Sequence, residues 1–510
     1  MRLASAAEMR AIDRAAIETC GVPGLVLMER AGAAVAAAAR ALVAPGREVV
    51  AVCGAGNNGG DGYVAARLLR AAGVAARAVA LAPRAALRGD ALAAREAAEA
   101  AGVPISDAGP EAIGAAEGDV VVDALLGTGL SRAPEGAYAA AIRRVEALRA
   151  RGARVVAVDV PSGLSADTGR PLGACVRADV TVTFAFQKRG LVLHPGPAYA
   201  GDVRVVDIGI PAEAAARVPV ACELLAEDEA RALVPARDAE AHKGDAGRVV
   251  VVAGSPGKSG AAHLALTGAL RGGAGLVTLA ARAEVLPFAL AGRPEAMSVA
   301  LPGAGPLGPR DLPALVAAAE GASALVVGPG IPRGDETGAL LRALLERAGV
   351  PAVLDADALN AVAADPAALL GGLPAPVVLT PHLGEMARLC ATSVAEVQAD
   401  RIALAQDRAR AWGCVVVLKG ARTVVAAPGA PPAVVPAGNP GMATGGTGDV
   451  LAGLTGALLG SGLPAFDAAR AAAFAHGLAG DLAAERLGER GLLAGDLADA
   501  LGAVWARWKR

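Results

Sequence analysis

A chain of 510 residues is too long for one hydrophobic core and points to two to four domains. A formal charge of −2 and an aromatic content of 2% argue against a nucleic-acid binder, which needs a basic face for phosphates and rings on which bases stack. Hydrophobic residues reach 54%, ample for a core, yet no run approaches 18 apolar residues without Gly, Pro or charge, so no membrane contact is expected.

The opening stretch, MRLASAAEMRAIDRAA, places charge and alanine at helical spacing and has no apolar leader region, so a cytoplasmic location is expected. The six cysteines (Cys20, Cys53, Cys175, Cys222, Cys390, Cys414) include no CxxC pair and read as small buried residues of a reducing compartment. Val-rich strands then follow at REVVAVCG, AARAVALA, GDVVVDALLG and GARVVAVDVPSG, and the pattern runs through ADVTVTFAF to GDVRVVDIGIP. Ala/Leu/Arg helices separate them. Apolar strands alternating with helices predict a mostly parallel sheet covered on both faces.

The first strand ends in Gly54-x-Gly56-x-x-Gly59, the spacing of a dinucleotide fingerprint. An acidic residue should close the second strand to hold a ribose, but Arg84 is the nearest charge there. The fingerprint is incomplete, and an NADP-type site or a plain tight turn both remain open. Asn57, Asn58 and Asp61 add polar side chains that a plain turn does not need. Further strand ends carry Asp123, Asp159 and Ser162, on the side of an open sheet where ligands bind. Asn58, Asp123 and Ser162 offer oxygen ligands for a hard cation. Asp159, ending a buried strand, is expected to be partly desolvated, and burial raises a carboxyl toward proton-transfer duty. Taken singly, each aspartate could equally cap its loop.

MERAG, GNNGGDG, DALLGTGL and DVPSG stand in the order of the YjeF N-terminal family, the NAD(P)H-hydrate epimerases, which the first half resembles across nearly its whole length. The resemblance implies a Rossmann-like αβα sandwich over residues 1–218 that takes damaged cofactor as its substrate, in keeping with the incomplete fingerprint. It assigns the loop Asn57, Asn58, Gly59, Gly60 and Asp61 to that substrate. It does the same for the loop Gly127, Thr128, Gly129, Leu130, Ser131, Arg132 and Ala133. It gives Asn58, Asp123 and Ser162 to a potassium ion, and Asp159 to the substrate as the acid/base. Epimerising a carbon that bears both hydroxyl and ring nitrogen needs proton transfer and transient opening, so one carboxylate and one cation would suffice.

The polar, proline-spaced stretch after GIP has no strong strand, and a linker is expected near residues 211–222. The alternation restarts at GRVVVVAGS and continues through GLVTLAA, ASALVVGPG, VPAVLDADALN, APVVLTPH and GCVVVLKG. Gly-Lys-Ser at 257–259 suggests a P-loop, but Walker A requires a glycine where Val252 stands, so Gly254–Gly260 reads as a substrate-side turn. His242, in a polar stretch, reads either as a surface residue or as a ligand. His263 and His476 lie on Ala/Leu-rich helices and are expected to pack or cap. Lys419 and Gly420 end a strand and precede an expected hairpin. NPGMATGGTGDVLAG, residues 439–453, is a glycine turn entering an apolar helix, which suits a phosphate. It lacks the Walker lysine and places Asp449 at the helix start.

HKG, AGS, GAGLVT, GPG, DADALN, TPHLGE, LKG and GGTGDVLAG follow the order of the ADP-dependent NAD(P)H-hydrate dehydratases, of the ribokinase-like superfamily. This resemblance implies a ribokinase-like α/β domain over residues 222–510. In such enzymes the Gly-Thr-Gly-Asp turn stabilises the phosphoryl group in flight while its aspartate accepts the proton of the attacking hydroxyl. The resemblance assigns nucleotide contacts to Lys419, Gly420, Ala421, Arg422, Thr423 and Gly448, and hydrate contacts to Ala274, Gly330, His382 and Asp449. It implies ADP as co-substrate, Mg2+ with it, and repair of hydrated NADH and NADPH by phosphorylating the C6 hydroxyl and eliminating phosphate. The fused epimerase would deliver the epimer that the dehydratase pocket rejects. A homo-oligomer is expected. Two other classes stay open. A vitamin or sugar kinase with an NADP-sensing first domain would leave a stable phosphorylated product. A non-enzymatic binding module would not need Asp123 and Asp159, both of which are retained here.

Overall fold

The computed structural model describes residues 1–509. The chain divides into two compact units, Arg2–Cys222 and Glu223 onward, the second taking Met1 with it. Residues 211–222, where a linker is expected, belong to the first unit: Ala212–Arg217 is a helix, Ala214 is fully buried, and Leu3 N donates to Cys222 O at 2.9 Å.

In the first unit, β1 (Leu3–Ala4), β2 (Val49–Cys53), β3 (Ala76–Ala80), β4 (Ile105–Ser106) and β5 (Val120–Ala124) are followed by β6 (Arg154–Val158), β7 (Val180–Phe184), β8 (Gln187–Lys188) and β9 (Asp202–Val206). Seven of them form one all-parallel sheet in the order β4-β3-β2-β5-β6-β7-β9, while β1 and β8 pair separately. Every residue of β2 and β5 is buried, as continuous valine runs covered on both faces require. Each fully buried valine is worth about 1.5–3 kcal/mol. The chain reverses direction of growth between β2 and β5. Their carboxyl ends therefore splay apart into a crevice.

The second unit holds β10 (Glu223–Leu224), β11 (Arg248–Val252), β12 (Leu276–Arg282), β13 (Met297–Leu301) and β14 (Ala324–Val327), then β15 (Ala352–Leu354), β16 (Val377–Leu379), β17 (Val415–Leu418), β18 (Thr423–Ala426) and β19 (Ala433–Val435). They form one ten-stranded sheet, β10-β19-β18-β17-β16-β15-β14-β11-β12-β13. Only the pairs β17–β18 and β18–β19 are antiparallel, which includes the expected hairpin after Lys419. Here the growth reverses between β11 and β14. Both units are α/β with helices packed on mainly parallel sheets.

Among the described residues no helix is long and apolar enough to cross a membrane. Burial of all six cysteines is only half met, since Cys20, Cys175 and Cys390 are partly exposed.

Candidate active sites

The crevice between β2 and β5 opens into a cavity of about 590 Å³. Its wall includes Asn57, Asn58 and Asp61 from the segment after β2, and Gly127 to Arg132 from the segment after β5. The first of these is not a loop. Gly56 is the N-cap of a helix, Asn57–Ala71, so Asn57 and Asn58 stand in its first turn, where unpaired N–H groups favour an anion. Gly59 and Gly60 are buried within that turn and do not line the cavity: a Cβ on Gly60 would stand 2.6 Å from Met28 Cε. Ala133 is also outside the lining.

Asp123, fully buried, accepts from Ser162 Oγ at 2.6 Å and from Ser162 N at 2.8 Å. Ser162 Oγ in turn faces both the N–H and the carbonyl of Leu126, at 2.9 and 3.1 Å. A Cβ built on Gly127 would stand 2.7 Å from Asn58 Oδ1, which brings the third expected cation ligand to the same loop. Asn58 Nδ2 is buried without a hydrogen-bond partner. Burial pushes the Asp123 carboxyl up to about 6. Among the described residues no Lys or Arg pairs with it. The donor set is oxygen-rich and lacks His and Cys, and it contains a buried carboxylate wanting a positive charge, so a hard monovalent cation fits.

Asp159 is buried, as expected of a residue that ends a buried strand, and it has a partner that no motif announces. It is not a lone desolvated carboxyl but half of a buried ion pair, with Lys188 Nζ 2.6 Å from its Oδ1 and Thr183 Oγ1 donating to the same oxygen at 3.0 Å. Lys188, 1% exposed, also donates to Thr183 Oγ1 and Phe184 O. Asp159 itself has φ +65°, a left-handed conformation rare outside glycine, held by its N–H to Val182 O at 2.8 Å. That turn aims the carboxylate at the cavity. Two carboxyls of the same cavity are raised, Asp13 to about 6 and Asp61 well above the usual range, both chiefly by burial. Neither Lys188 nor Asp13 is evident from motifs, because the β8 turn and the helix Ala6–Arg14 carry no glycine signature.

In the second unit Ser255 Oγ donates to Gly330 O at 2.8 Å and Gly254 N to Pro329 O at 2.8 Å, so the turns after β11 and β14 are tied together. Lys258, at the head of the helix Ser259–Arg271, and Arg333 both reach Asp357 at 3.0 Å. Ala274 does not join them. It precedes β12, at the amino ends of the strands, whereas Gly330, His382 and Lys419 follow strands at their carboxyl ends. A parallel sheet cannot bring the two edges together, and the alanine beside Gly330 is Ala261, whose Cβ would lie 3.1 Å from one built on Gly330.

Lys419, 18% exposed, meets Asp355 Oδ1 at 2.7 Å and Glu385 Oε2 at 3.9 Å. Its N–H donates to Pro381 O at 2.8 Å, which joins the turn after β17 to that carrying His382. His382 is the N-cap of the helix Leu383–Leu389; its Nδ1 accepts from Gly384 N at 2.9 Å, while Nε2 lies 3.5 Å from Glu385 Oε1. Arg401, unremarked in the sequence, donates to Ala421 O at 2.7 Å and Leu418 O at 3.3 Å and so braces the hairpin that begins at Lys419. Burial lowers its guanidinium to about 10.

The helix Thr447–Gly460 starts at Gly446, whose φ of +94° turns the chain sharply and admits no side chain, since Leu264 would lie 2.3 Å away. His476, buried and lowered to about 4, is a neutral imidazole whose Nε2 lies 2.8 Å from Thr447 O, so it caps as expected. A Cβ on Gly448 would stand 3.1 Å from Lys419 Nζ and 3.9 Å from Asp355 Oδ2. Asp449 is raised to about 7, by burial first, then by Asp355 and against Lys419. His263 packs with Nδ1 3.0 Å from Ala289 O, and His242 is exposed, capping its own turn with Asp245.

Two family models match the chain. One described as NAD(P)H-hydrate dehydratase covers residues 249–502, and one described as YjeF-related protein N-terminus covers residues 24–190. The bifunctional NAD(P)H-hydrate repair enzyme Nnr of Moorella thermoacetica is 44% identical, over 98% of this chain and 96% of its own. Its counterpart in Escherichia coli is 39% identical, over 97% of this chain and 92% of its own. The solved ADP/ATP-dependent NAD(P)H-hydrate dehydratase of Bacillus subtilis, co-crystallised with ATP and Mg2+, is 31% identical. It aligns with 56% of this chain and 99% of that one at a TM-score of 0.49.

Proposed function

Because the chain belongs to the family of bifunctional NAD(P)H-hydrate repair enzymes, we propose that its two strand-end sites divide that repair between them: epimerisation at Asp159 and dehydration at Asp449. The observation that carries this reading is Asp449. A carboxyl raised to about 7 at a glycine-rich helix start, within reach of the Lys419–Asp355 pair, is a general base poised at working pH beside a seat for phosphate. It takes the proton of the C6 hydroxyl as that oxygen attacks the terminal phosphorus. The N–H groups of Gly448 and its neighbours stabilise the transferring group's charge. Phosphate then leaves from C6 while C5 gives up a proton to the departing phosphate or water, and the ring double bond returns.

The hairpin from Lys419 to Thr423, braced by Arg401, lies beside the turn where the nucleotide phosphates would sit, and ADP is the proposed donor. Gly330 and His382 would face the hydrate; Ala274 is withdrawn from that role. Magnesium accompanies the nucleotide. Asp355 and Glu385 are already engaged by Lys419, so phosphates and water would supply most of its oxygens.

In the first unit Asn57, Asn58, Asp61 and the Gly127–Arg132 loop would hold the hydrated dinucleotide, with its phosphates at the Asn57 helix start. Potassium at Asn58, Asp123 and Ser162 would balance the buried carboxylate and order the Leu126–Gly127 turn. Asp159 accepts the substrate proton.

The test is incubation of the purified chain with chemically hydrated NADH plus ADP or ATP. Recovery of dihydronicotinamide absorbance with release of free phosphate is expected. A stable phosphorylated product instead would make the second unit an ordinary kinase.

A further inference from the structure

Epimerisation at C6 by ring opening moves two protons. The hydroxyl proton leaves oxygen as the C6–N1 bond breaks, and N1 receives a proton as it departs, which gives an aldehyde and an enamine. Rotation about C5–C6 and the reverse steps close the ring on the other face, with no change of oxidation state. Opening therefore needs a base and an acid, and closure exchanges their roles. Asp159, ion-paired through Oδ1 with Lys188 at 2.6 Å, has its second oxygen for the base's part.

The same cavity is lined by another carboxyl, Asp13. Ser5 and Glu8 form a reciprocal capping box at the start of its helix, Ala6–Arg14, and Arg189, next in chain to Lys188, holds Glu8 at 2.9 Å. Met9 and Ile12 are buried. The element is thus pinned at both its head and its apolar face. Asp13 is half-buried, yet none of the described residues makes a hydrogen bond or ion pair with it. Such a carboxyl costs stability, and nothing in the packing calls for it.

We propose that Asp13 is a catalytic residue of epimerisation, the acid that protonates the ring nitrogen while Asp159 removes the hydroxyl proton. The raised carboxyl, at about 6, keeps a protonated fraction near neutrality. Asp61, more deeply buried and pushed up chiefly by that burial, lines the same cavity. The proposal rests on the reading of this cavity as the epimerase site.

The test uses the full chain and the R hydrate of NADH without nucleotide, with conversion to the S form followed by chromatography. Asp13→Asn should lower kcat by about 10²-fold or more with KM within about threefold, and Asp13→Glu should recover much of the loss. Asp13→Asn combined with Asp159→Asn should be no slower than the slower single variant, as expected of groups that act as a unit. Unchanged tyrosine circular dichroism shows that the first unit is folded, since Tyr63, Tyr138 and Tyr199 all lie in it. Near-wild-type kcat in Asp13→Asn, with Asp159→Asn inactive, would overturn the role of Asp13 and leave the site standing. Full activity in both variants would remove the site and the proposal together.

Discussion

Lys419 Nζ lies 2.7 Å from Asp355 Oδ1, and the Gly448 backbone passes close enough that a Cβ there would touch the same ammonium at 3.1 Å. Burial is the first cause that raises Asp449, and this pair acts on top of it. Asp355, pinned by Lys419, remains a negative neighbour that pushes Asp449 up, while Lys419 is near enough to moderate the rise to about 7. A lone aspartate at a helix start would instead be favoured in its charged form by the dipole.

Asp449→Asn keeps the shape and removes the base, so dehydration should fall by about 10²- to 10⁴-fold. Epimerisation in the same preparation should be unchanged. Wild-type dehydration should decline as pH drops through about 7, where the carboxyl protonates, and this limb should be missing from the residual rate of the variant. The same shift bears on stability. A carboxyl that holds its proton more tightly folded than unfolded loses stability as pH rises from about 4 toward 7. Asp449→Asn should therefore raise the unfolding midpoint at pH 8 and leave it little changed at pH 4, read by the tryptophans, all three of which lie in the second unit. Near-wild-type dehydration would reduce Asp449 to a helix cap.

Each unit has its own sheet, core and strand-end site, which predicts separable activities. Residues 222–510 expressed alone should fold and repair one epimer of the hydrate in a nucleotide-dependent manner. A folded fragment that repairs both epimers at equal rates would show that the first unit is not the epimerase.

Much of this was legible in the sequence, because glycine-rich turns and polar strand ends are local signals and each appears within a few residues of its strand. Asp123, Asp159, Ser162, Lys419 and Asp449 were found that way. Asp13, Lys188, Asp355 and Arg401 were not given roles, since each meets its partners across the fold: Lys188 is 29 positions from Asp159 and Asp355 64 positions from Lys419. One further signal was available. Only five of the 48 Lys and Arg residues are lysine, and Lys188, Lys258 and Lys419 all make ion pairs at strand-end sites, as a compact ammonium suits. Ala274 rests on the family resemblance alone, and it stands before β12, away from the strand ends that carry Gly330 and His382.

Among the described residues Asp123 has no ion-pair partner, and its hydrogen bonds come from Ser162 and Leu125. A bound monovalent cation would complete it. Asp123→Ala should therefore depress epimerisation and leave dehydration of the competent epimer intact. Potassium should raise the wild-type thermal midpoint of the tyrosine-reported transition more than sodium at equal ionic strength, and not do so in the variant. Anomalous scattering from a transition metal at this position would contradict the oxygen-only assignment.

The Lys188–Asp159 pair allows the energetics of the first site to be separated from its chemistry. Lys188 is enclosed, with Thr183 Oγ1 and Phe184 O as its other acceptors, so its charge is committed to this one site. Lys188→Met removes the ammonium and leaves Asp159 buried and uncompensated, a change that typically costs about 3–5 kcal/mol. Asp159→Asn leaves the ammonium facing neutral oxygens, which is also unfavourable. The double variant Lys188→Met/Asp159→Asn leaves neither member of this pair charged without the other, so it should be more stable than the sum of the single losses predicts, and a double-mutant cycle on the denaturant midpoint of the first unit measures that coupling. All three variants should be poor epimerases, because stability regained in the double does not restore a proton acceptor. Dehydration at Asp449 should be the same in each. Additive stabilities would mean that the two groups do not interact in solution, and the account of how Asp159 is held at the cavity would fail with them.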